Sequence, residues 1–439
     1  MNSLLSAVFW IGAYLVVITA PLFVLLVGPV PPPGGFWWDF AMALGFAALA
    51  MMGVQFILTA RFRRTTMPFG IDIVYYFHRF LAIFALAIAV LHYLIIRIDN
   101  PATLGVANPA EAPTHMSAGR AALALFALLV ASSLARRRFR IDYDLWRWTH
   151  ALIATIAFVL ALWHVVGTGY YIDTDWKQAL WTGYGLFWIA LIGHVRLVRP
   201  WLTLRKPYRV AEVRRERGDA YTLVLEPEGH GGMRFQPGQF AWLTLGASPY
   251  ALREHPFSIA SSAARAGTIE FGIKAVGDFT RSVMNAAPGQ QAFLDGPYGA
   301  FSTDRHSQAP GYVFVAGGVG IAPVMGMLRT LADCGDRRPL VLFYGNRRWE
   351  RALYREELEM LAARLDLRVV HILGEPPEGW DGERGMLTRA MLERLLPADR
   401  AQLHYFVCGP TAMTQSAEAW LAALDIRSAQ IHSELFEWV

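Results

Sequence analysis

A chain of 439 residues is longer than one ordinary domain, so two or three are expected. Hydrophobic residues make up 54% of it, and their excess lies in the first two hundred positions, which places that part in a bilayer. The formal net charge of +5 does not point to nucleic acid, because the surplus bases flank the apolar runs, and Cys334 and Cys408 fall in a half expected to be cytoplasmic, where a disulfide is not expected.

Six apolar runs are long enough to span a membrane, at about 4–28, 36–60, 72–97, 120–136, 145–167 and 178–199, the fourth being short. The first lacks a basic leader and a small-residue cleavage site, so it reads as a retained helix. PVPPPGG at 29–35 forms a stiff turn after it. Arg61, Arg63 and Arg64 follow the second run, Arg136, Arg137, Arg138 and Arg140 the fourth, and Arg196, Arg199, Arg205, Lys206 and Arg209 the sixth. The opposite loops carry Asp99, Glu111, Asp173 and Asp175, with few bases beyond Arg97, Arg120 and Lys177. Basic loops stay inside, so both termini are expected in the cytoplasm of a plasma (bacterial inner) membrane protein. Runs three and five then cross outward in parallel.

Those two runs each hold two histidines fourteen residues apart, His78 and His92 in one, His150 and His164 in the other. Fourteen residues are nearly four helical turns, so both rings leave one face about 21 Å apart. Parallel helices then set His78 level with His150 and His92 level with His164. Each level offers two imidazoles across a bundle core, an axial pair for a haem iron. Any one of the four alone reads equally as an interhelical hydrogen-bonding residue, but ionisable residues are scarce in membrane helices and the same offset occurs twice. No C-x-x-C-H sequence is present, so two non-covalent b-type haems are expected.

From about residue 205 the texture changes to short β-type runs broken by Gly and Pro. RVAEVRR, YTLVLEP, QFAWLTL, FSIAS, TIEFGIK and QAFLDG read as six strands of a small antiparallel barrel. From about 310, strands alternate with helical stretches, the pattern of a doubly wound parallel sheet with its ligand at the carboxyl ends of the strands. GGVGIAP, Gly317 to Pro323, follows a strand and opens a helix, where backbone N–H groups meet a diphosphate; a plain strand–helix turn is the alternative. In HPFSIAS a hydroxyl, Ser258, follows an aromatic, Phe257, which suits a flavin but equally a buried strand.

Taken together, HPFSIAS, GDFT (277–280), DGPYG (295–299), GGVGIAP, CGP and the closing ELFEW resemble the ferredoxin-reductase-type flavin and nicotinamide module. With the paired-histidine runs in front, residues 60–439 resemble the NADPH oxidase and ferric reductase superfamily in a compact form. The resemblance implies cytosolic NADPH or NADH, FAD, two haem b in series and an acceptor on the far side. It assigns His255 to the FAD phosphates, Pro256, Phe257 and Ser258 to the isoalloxazine, and Lys274, Gly277 and Thr280 to the FAD diphosphate. Gly317, Gly318, Gly320 and Pro323 match the nicotinamide-cofactor loop, and Cys408, Gly409 and Pro410 the hydride-transfer edge. Phe436 and Trp438 match the C-terminal aromatic that covers the flavin. Arg347 and Arg348 follow the second strand of the nucleotide domain, where a 2′-phosphate can be read by charge; two arginines are equally ordinary on a loop surface, so NADPH is favoured with NADH as the alternative.

The expected architecture is a six-helix transmembrane haem-binding bundle (1–200), an antiparallel β-barrel FAD domain (205–305) and an α/β doubly wound NAD(P)-binding domain (308–439). Hydride chemistry delivers two electrons and a haem accepts one, so a flavin must lie between them. The expected enzyme passes electrons from NAD(P)H to an extracytoplasmic acceptor, first dioxygen giving superoxide, alternatively a ferric chelate or a periplasmic redox partner. A flavin reductase with a haem-free membrane anchor is the competing class. The lipid bilayer is the expected partner, with no nucleic acid and no obligatory protein subunit evident. Arg97, His115 and Arg120 are the outer polar residues.

Overall fold

The computed structural model describes residues 3–62, 70–136, 138–251 and 253–435; Arg63, Arg64, Arg137, Phe436 and Trp438 lie outside them. The chain divides into two compact units, Met1–Pro200 and Trp201–Val439.

The first unit is helical: α1 (Ser3–Leu25), α2 (Phe36–Thr59), α3 (Gly70–Asp99), α4 (Thr114–Ala135), α5 (Tyr143–Thr168) and α6 (Asp175–Gly193). Among the described residues five helices, α1 to α5, are long and apolar enough to cross a membrane. In α6, Asp175, Lys177 and three glycines dilute the apolar pattern; a π turn, His194–Val198, and a short helix, Arg199–Leu204, continue it. The fourth run, expected to start at 120, starts at Thr114, directly after Pro113, so His115 and Arg120 belong to its first two turns. The Asp142 side chain starts α5 by accepting the Leu145 N–H at 2.9 Å, and Gly169, at φ +63°, ends it.

Glycines let these helices close up around large rings. A Cβ at Gly53 would fall 2.5 Å from Trp188 Nε1, and one at Gly185 2.8 Å from Leu162 Cδ1. Phe158, Trp181 and Trp188 are buried. Lys177 is fully buried as well; its Nζ donates to the carbonyls of Leu25 at 2.8 Å and Pro29 at 2.5 Å. A cation on the last carbonyls of α1 is well placed for the helix dipole, and it ties α6 to the proline-rich turn.

The second unit contains two six-stranded sheets. The antiparallel one comprises β1 (Tyr208–Arg215), β2 (Ala220–Pro227), β3 (Phe240–Leu245), β4 (His255–Ser258), β5 (Ile269–Lys274) and β6 (Gln291–Tyr298), ordered β4-β3-β6-β1-β2-β5. Its two end strands meet: Ile259 bridges Phe271, and the Ala260 N–H donates to Glu270 at 2.7 Å, closing the sheet into a barrel. The parallel sheet holds β7 (Tyr312–Gly317), β8 (Leu340–Asn346), β9 (Leu367–Leu373), β10 (Glu383–Arg384), β11 (His404–Gly409) and β12 (Ile431–Leu435), ordered β10-β9-β8-β7-β11-β12. Helices Ile321–Asp333 and Arg355–Arg364 pack on one face and Arg389–Leu395 and Thr411–Ala422 on the other, giving two apolar cores. This is the doubly wound arrangement, which gathers the strand ends at one carboxyl edge.

Arg329 bolts the sheets together. From helix Ile321–Asp333 it donates to both Glu357 oxygens at 2.6 and 2.7 Å, to Glu270 of β5 at 3.0 Å, and to the Ala260 carbonyl at 2.7 Å. Its side chain is 13% exposed, so these contacts are little screened. Removing one partner of a buried charge set typically costs about 3–5 kcal/mol. Arg329→Ala is therefore expected to lower the thermal midpoint of flavin release markedly, whereas Arg281→Ala, which breaks an exposed pair with Asp278, should leave it unchanged. Equal midpoints for Arg329→Ala and the unsubstituted protein would show that the two sheets are held together elsewhere.

Candidate functional site

Three places in the fold carry unsatisfied chemistry. The first is the facing histidine set of α3 and α5. The His78 and His150 rings stand 6.4 Å apart between centroids, inclined at 63°. Two imidazoles on one metal, each bound at about 2 Å, have centroids roughly 6 Å apart. His92 Nδ1 contacts the Ala41 carbonyl at 2.7 Å, and His164 Nδ1 the His115 carbonyl at 3.0 Å. A carbonyl only accepts, so Nδ1 carries the proton and the Nε2 lone pair is left over. His150 Nδ1 meets Ser133 Oγ at 3.3 Å, and that hydroxyl gives its own proton to Leu129 at 2.7 Å, which again makes the ring the donor. His78 Nδ1 is buried without a hydrogen-bond partner among the described residues. The rings are wedged by glycines: a Cβ at Gly45 would reach 2.9 Å from His92 Cε1, and one at Gly119 2.7 Å from His164 Nδ1.

Arg120, by contrast, is spent on structure, donating to the Val106 carbonyl at 2.9 Å and to that of Leu104. Alongside the His164 contact through its carbonyl, His115 packs its side chain where a Cβ on Gly167 would stand.

The second place is the barrel wall at β4. Ser258 is buried, and its Oγ has no hydrogen-bond partner among the described residues. Beside it, His255 and Phe279 stack at 3.9 Å and 27°, and Phe257 continues the stack on Phe279 at 6.1 Å and 17°. Thr280 is engaged locally: its Oγ1 accepts from the N–H groups of Val276 at 3.0 Å and Gly277 at 2.8 Å and donates to the Gly277 carbonyl at 2.9 Å. It shapes the loop after Lys274. Phe279, which the sequence did not single out beyond its place in GDFT, is the middle ring of the stack.

The third place is the carboxyl edge of the parallel sheet. Gly318 has φ +54° and open space where its Cβ would be, so the backbone is bare there. Gly317 and Gly320 serve a different end. A Cβ on Gly317 would stand 2.7 Å from Met413 Sδ, and one on Gly320 2.7 Å from the Cys408 carbonyl carbon and 2.9 Å from Gly409 N. The loops after β7 and β11 thus interlock glycine against backbone, with Pro323 buried one turn into the helix. Cys408 is fully buried; burial, with Glu434 adding to it, pushes its thiol well above the ordinary value, so it stays protonated. Asn346 Nδ2 and Thr411 Oγ1, at the end of β8 and just past β11, are buried without hydrogen-bond partners among the described residues. Arg347 and Arg348 both donate to Glu375, each at 2.6 Å.

Three family models match the regions that hold these places. Residues 44–162 match the family described as ferric reductase like transmembrane component, 209–302 an FAD-binding domain, and 314–419 an oxidoreductase NAD-binding domain. The chain has the architecture of the NADPH oxidase and ferric reductase type. It is a membrane protein that also carries an FAD-binding and an oxidoreductase NAD-binding module.

Among curated relatives it is 30% identical over 237 residues to the reductase component of propane 2-monooxygenase from Rhodococcus jostii, covering 52% of this chain and 62% of that one. It is 30% identical over 242 residues to the glycine betaine monooxygenase reductase subunit of Pseudomonas aeruginosa, covering 54% and 65%. An NADH-cytochrome b5 reductase-like protein of Emericella nidulans is 34% identical over 154 residues, covering 34% and 32%. The chain thus spans between about a third and two thirds of the length of these relatives. The FAD/NAD-binding domain of a Vibrio cholerae nitric oxide dioxygenase aligns at 22% identity and TM-score 0.46, covering 53% of this chain and 98% of that one.

The transmembrane match includes His78, His92 and His150 and stops two residues before His164. The haem that such a component implies fits the imidazoles on structural grounds, because His92, His150 and His164 each keep Nε2 available by donating from Nδ1. The partnerless Ser258 hydroxyl likewise fits a flavin, and Asn346 and Thr411 fit a nicotinamide nucleotide. Gly320→Ala is expected to force the two nucleotide loops apart and slow flavin reduction by NAD(P)H about 100-fold, with FAD content preserved. Gly318→Ala, which meets open space, should do less. Stopped-flow flavin bleaching measures both, and an unimpaired Gly320→Ala variant would show that the interlock is dispensable.

Proposed function

We propose that the protein is a transmembrane flavocytochrome that passes electrons from cytosolic NAD(P)H through FAD and two b-type haems to an extracytoplasmic acceptor, with dioxygen reduced to superoxide. The observation that carries this reading is the tethering of His92 and His164 by Nδ1 to backbone carbonyls, which leaves Nε2 as the free ligand atom within apolar helices. In this reading residues 1–200 form the six-span bis-haem domain, 205–305 the FAD domain and 308–439 the nucleotide domain. Both termini lie in the cytoplasm, and the location is the bacterial inner membrane.

The bound cofactors supply hydride acceptance and one-electron transfer. The chain supplies the rest. Gly318 and the start of helix Ile321–Asp333 receive the nucleotide diphosphate, and the Cys408–Pro410 loop borders the nicotinamide as a neutral, uncharged wall. Ser258 Oγ donates or accepts at the flavin edge, Phe257 lines the ring, and His255, Lys274 and Gly277 lie toward the flavin phosphates. His78 pairs with His150 near the cytoplasm, and His92 with His164 near the outside. One hydride carries two electrons, so each NAD(P)H reduces two dioxygen molecules and leaves one proton inside. Ferric-chelate reduction is a second reading, favoured by the transmembrane family matched at 44–162.

His78→Ala and His150→Ala are each expected to halve the haem content while NAD(P)H still bleaches the flavin. A variant that keeps two bis-imidazole haems by its Soret spectrum would remove the ligand assignment. Turnover in membranes, scoring superoxide in air against ferric reduction under anoxia, separates the two acceptors.

Nucleotide choice rests on Arg347, Arg348 and Glu375. Arg348, with Arg347, holds the Glu375 carboxyl below the usual range, so it stays ionised and competes with any 2′-phosphate. Glu375→Gln is expected to raise the NADPH-to-NADH ratio of kcat/KM about tenfold, and Arg347→Ala to lower it. A ratio indifferent to both substitutions would place cofactor selection elsewhere.

A further inference from the structure

Three histidines outside the electron path converge at the other end of the parallel sheet. His404 is the first residue of β11, His432 lies on β12 in register with Phe406, and His306 ends the short helix Thr303–His306 that precedes β7. A ligand nitrogen from each lies within 4.8 Å of the others. His404 Nδ1 and His432 Nε2 are 2.9 Å apart, and the His306 ring lies over His432 at 3.9 Å and 21°. Phe406 backs the group, 4.9 Å from His432 and 6.1 Å from His306. All three histidines are partly accessible. Four strand steps of about 3.3 Å separate His404 from Cys408, so this cluster is roughly 13 Å along β11 from the hydride-transfer edge.

We propose that His306, His404 and His432 form a binding site for a divalent transition ion of the zinc class, with water as the fourth ligand. Three neutral imidazoles on separate segments are the donor set such ions take, and a solvent-facing position completes four-coordination. Burial holds His306 at about 4 and His432 at about 3, so no proton has to leave these two rings at neutral pH before the ion enters. Four-coordinate zinc places its nitrogens roughly 3.3 Å apart. The 2.9 Å pair therefore opens slightly, the proton it shares moves to the outer nitrogen of His404, and His306 swings out of its stack. Arg305, the neighbour of His306, opposes a cation, and its positive charge sets the affinity below that of an unopposed site. A bound ion clips the segment leading into β7 to the two strands that end beside Gly409 and Leu435.

The test uses full-length, untagged protein in detergent, stripped by chelator and then given Zn²⁺ or Co²⁺ alone. The unsubstituted chain should retain one ion per chain more than His306→Gln or His432→Asn. With Co²⁺ it should show the intense visible bands of four-coordination that both variants lack, and Zn²⁺ should raise the thermal midpoint of flavin release only in the unsubstituted chain. Either substitution should weaken binding about 100-fold or more, and Arg305→Gln should tighten it several-fold. Flavin content reports folding of each variant, so two folded variants with undiminished uptake, or an unsubstituted chain that takes up no equimolar Zn²⁺ or Co²⁺, would overturn the site.

Discussion

An imidazole among apolar helices has two nitrogens and almost nothing to bond them to. Leaving a polar group unmet there costs several kcal/mol. In α3 and α5 the requirement is met on one side only: backbone carbonyls of Ala41 and His115, and the Ser133 hydroxyl, take the Nδ1 protons. The carbonyls become available because α2 and α4 come close, and they come close because Gly45 and Gly119 leave room for the rings. Ring orientation, helix spacing and the open Nε2 are thus one constraint expressed three ways. A side-chain substitution at residue 41 or 115 would leave the accepting carbonyls in place, whereas a methyl group at residue 45 or 119 would not leave room for the rings.

The two levels are not equivalent. His92 and His164 are held by main-chain acceptors, whose positions the helices fix. His150 rests on a longer hydroxyl contact and His78, among the described residues, has no Nδ1 partner. Donation from the second nitrogen raises the basicity of the ligating one. The unequal support therefore builds a chemical difference between the two levels into the backbone itself, along the direction electrons are proposed to travel.

Much of this was legible in the sequence because it depends on period and punctuation. The fourteen-residue spacing survives any detail of packing, and the six barrel strands and the alternating β and α runs announce themselves by turn residues and alternation. What was hidden depends on partners distant in sequence. Sequence alone does not show that the loop after β11 also needs Gly317 and Gly320 small, while of the three loop glycines Gly318 faces open space. Nor does it show that Thr280 also caps its own loop. Glu375 carries no motif at all and lies 28 residues past Arg347, whose charge it holds. His306, His404 and His432 are scattered singly through the chain, without the short spacing that marks a metal site, so nothing linear groups them. The fourth helix began six residues before the apolar pattern suggested, since helical hydrogen bonding runs on past the point where hydropathy falls.

The closing of the barrel by Ile259 and Phe271 leaves the parallel sheet as the part of the second unit with strand edges. Those edges are poor templates. At one side β10 is two residues long, Glu383 and Arg384, both charged, and Glu383 is tied to Arg394 at 2.8 Å. At the other, β12 offers His432, Ser433 and Glu434 in succession. A strand that is short or polar gives a neighbouring molecule little to pair with and little apolar surface to bury. In the proposed topology copies of this unit share one membrane surface and meet there far more often than they would in solution. The blunt edges would let them crowd without joining sheet to sheet.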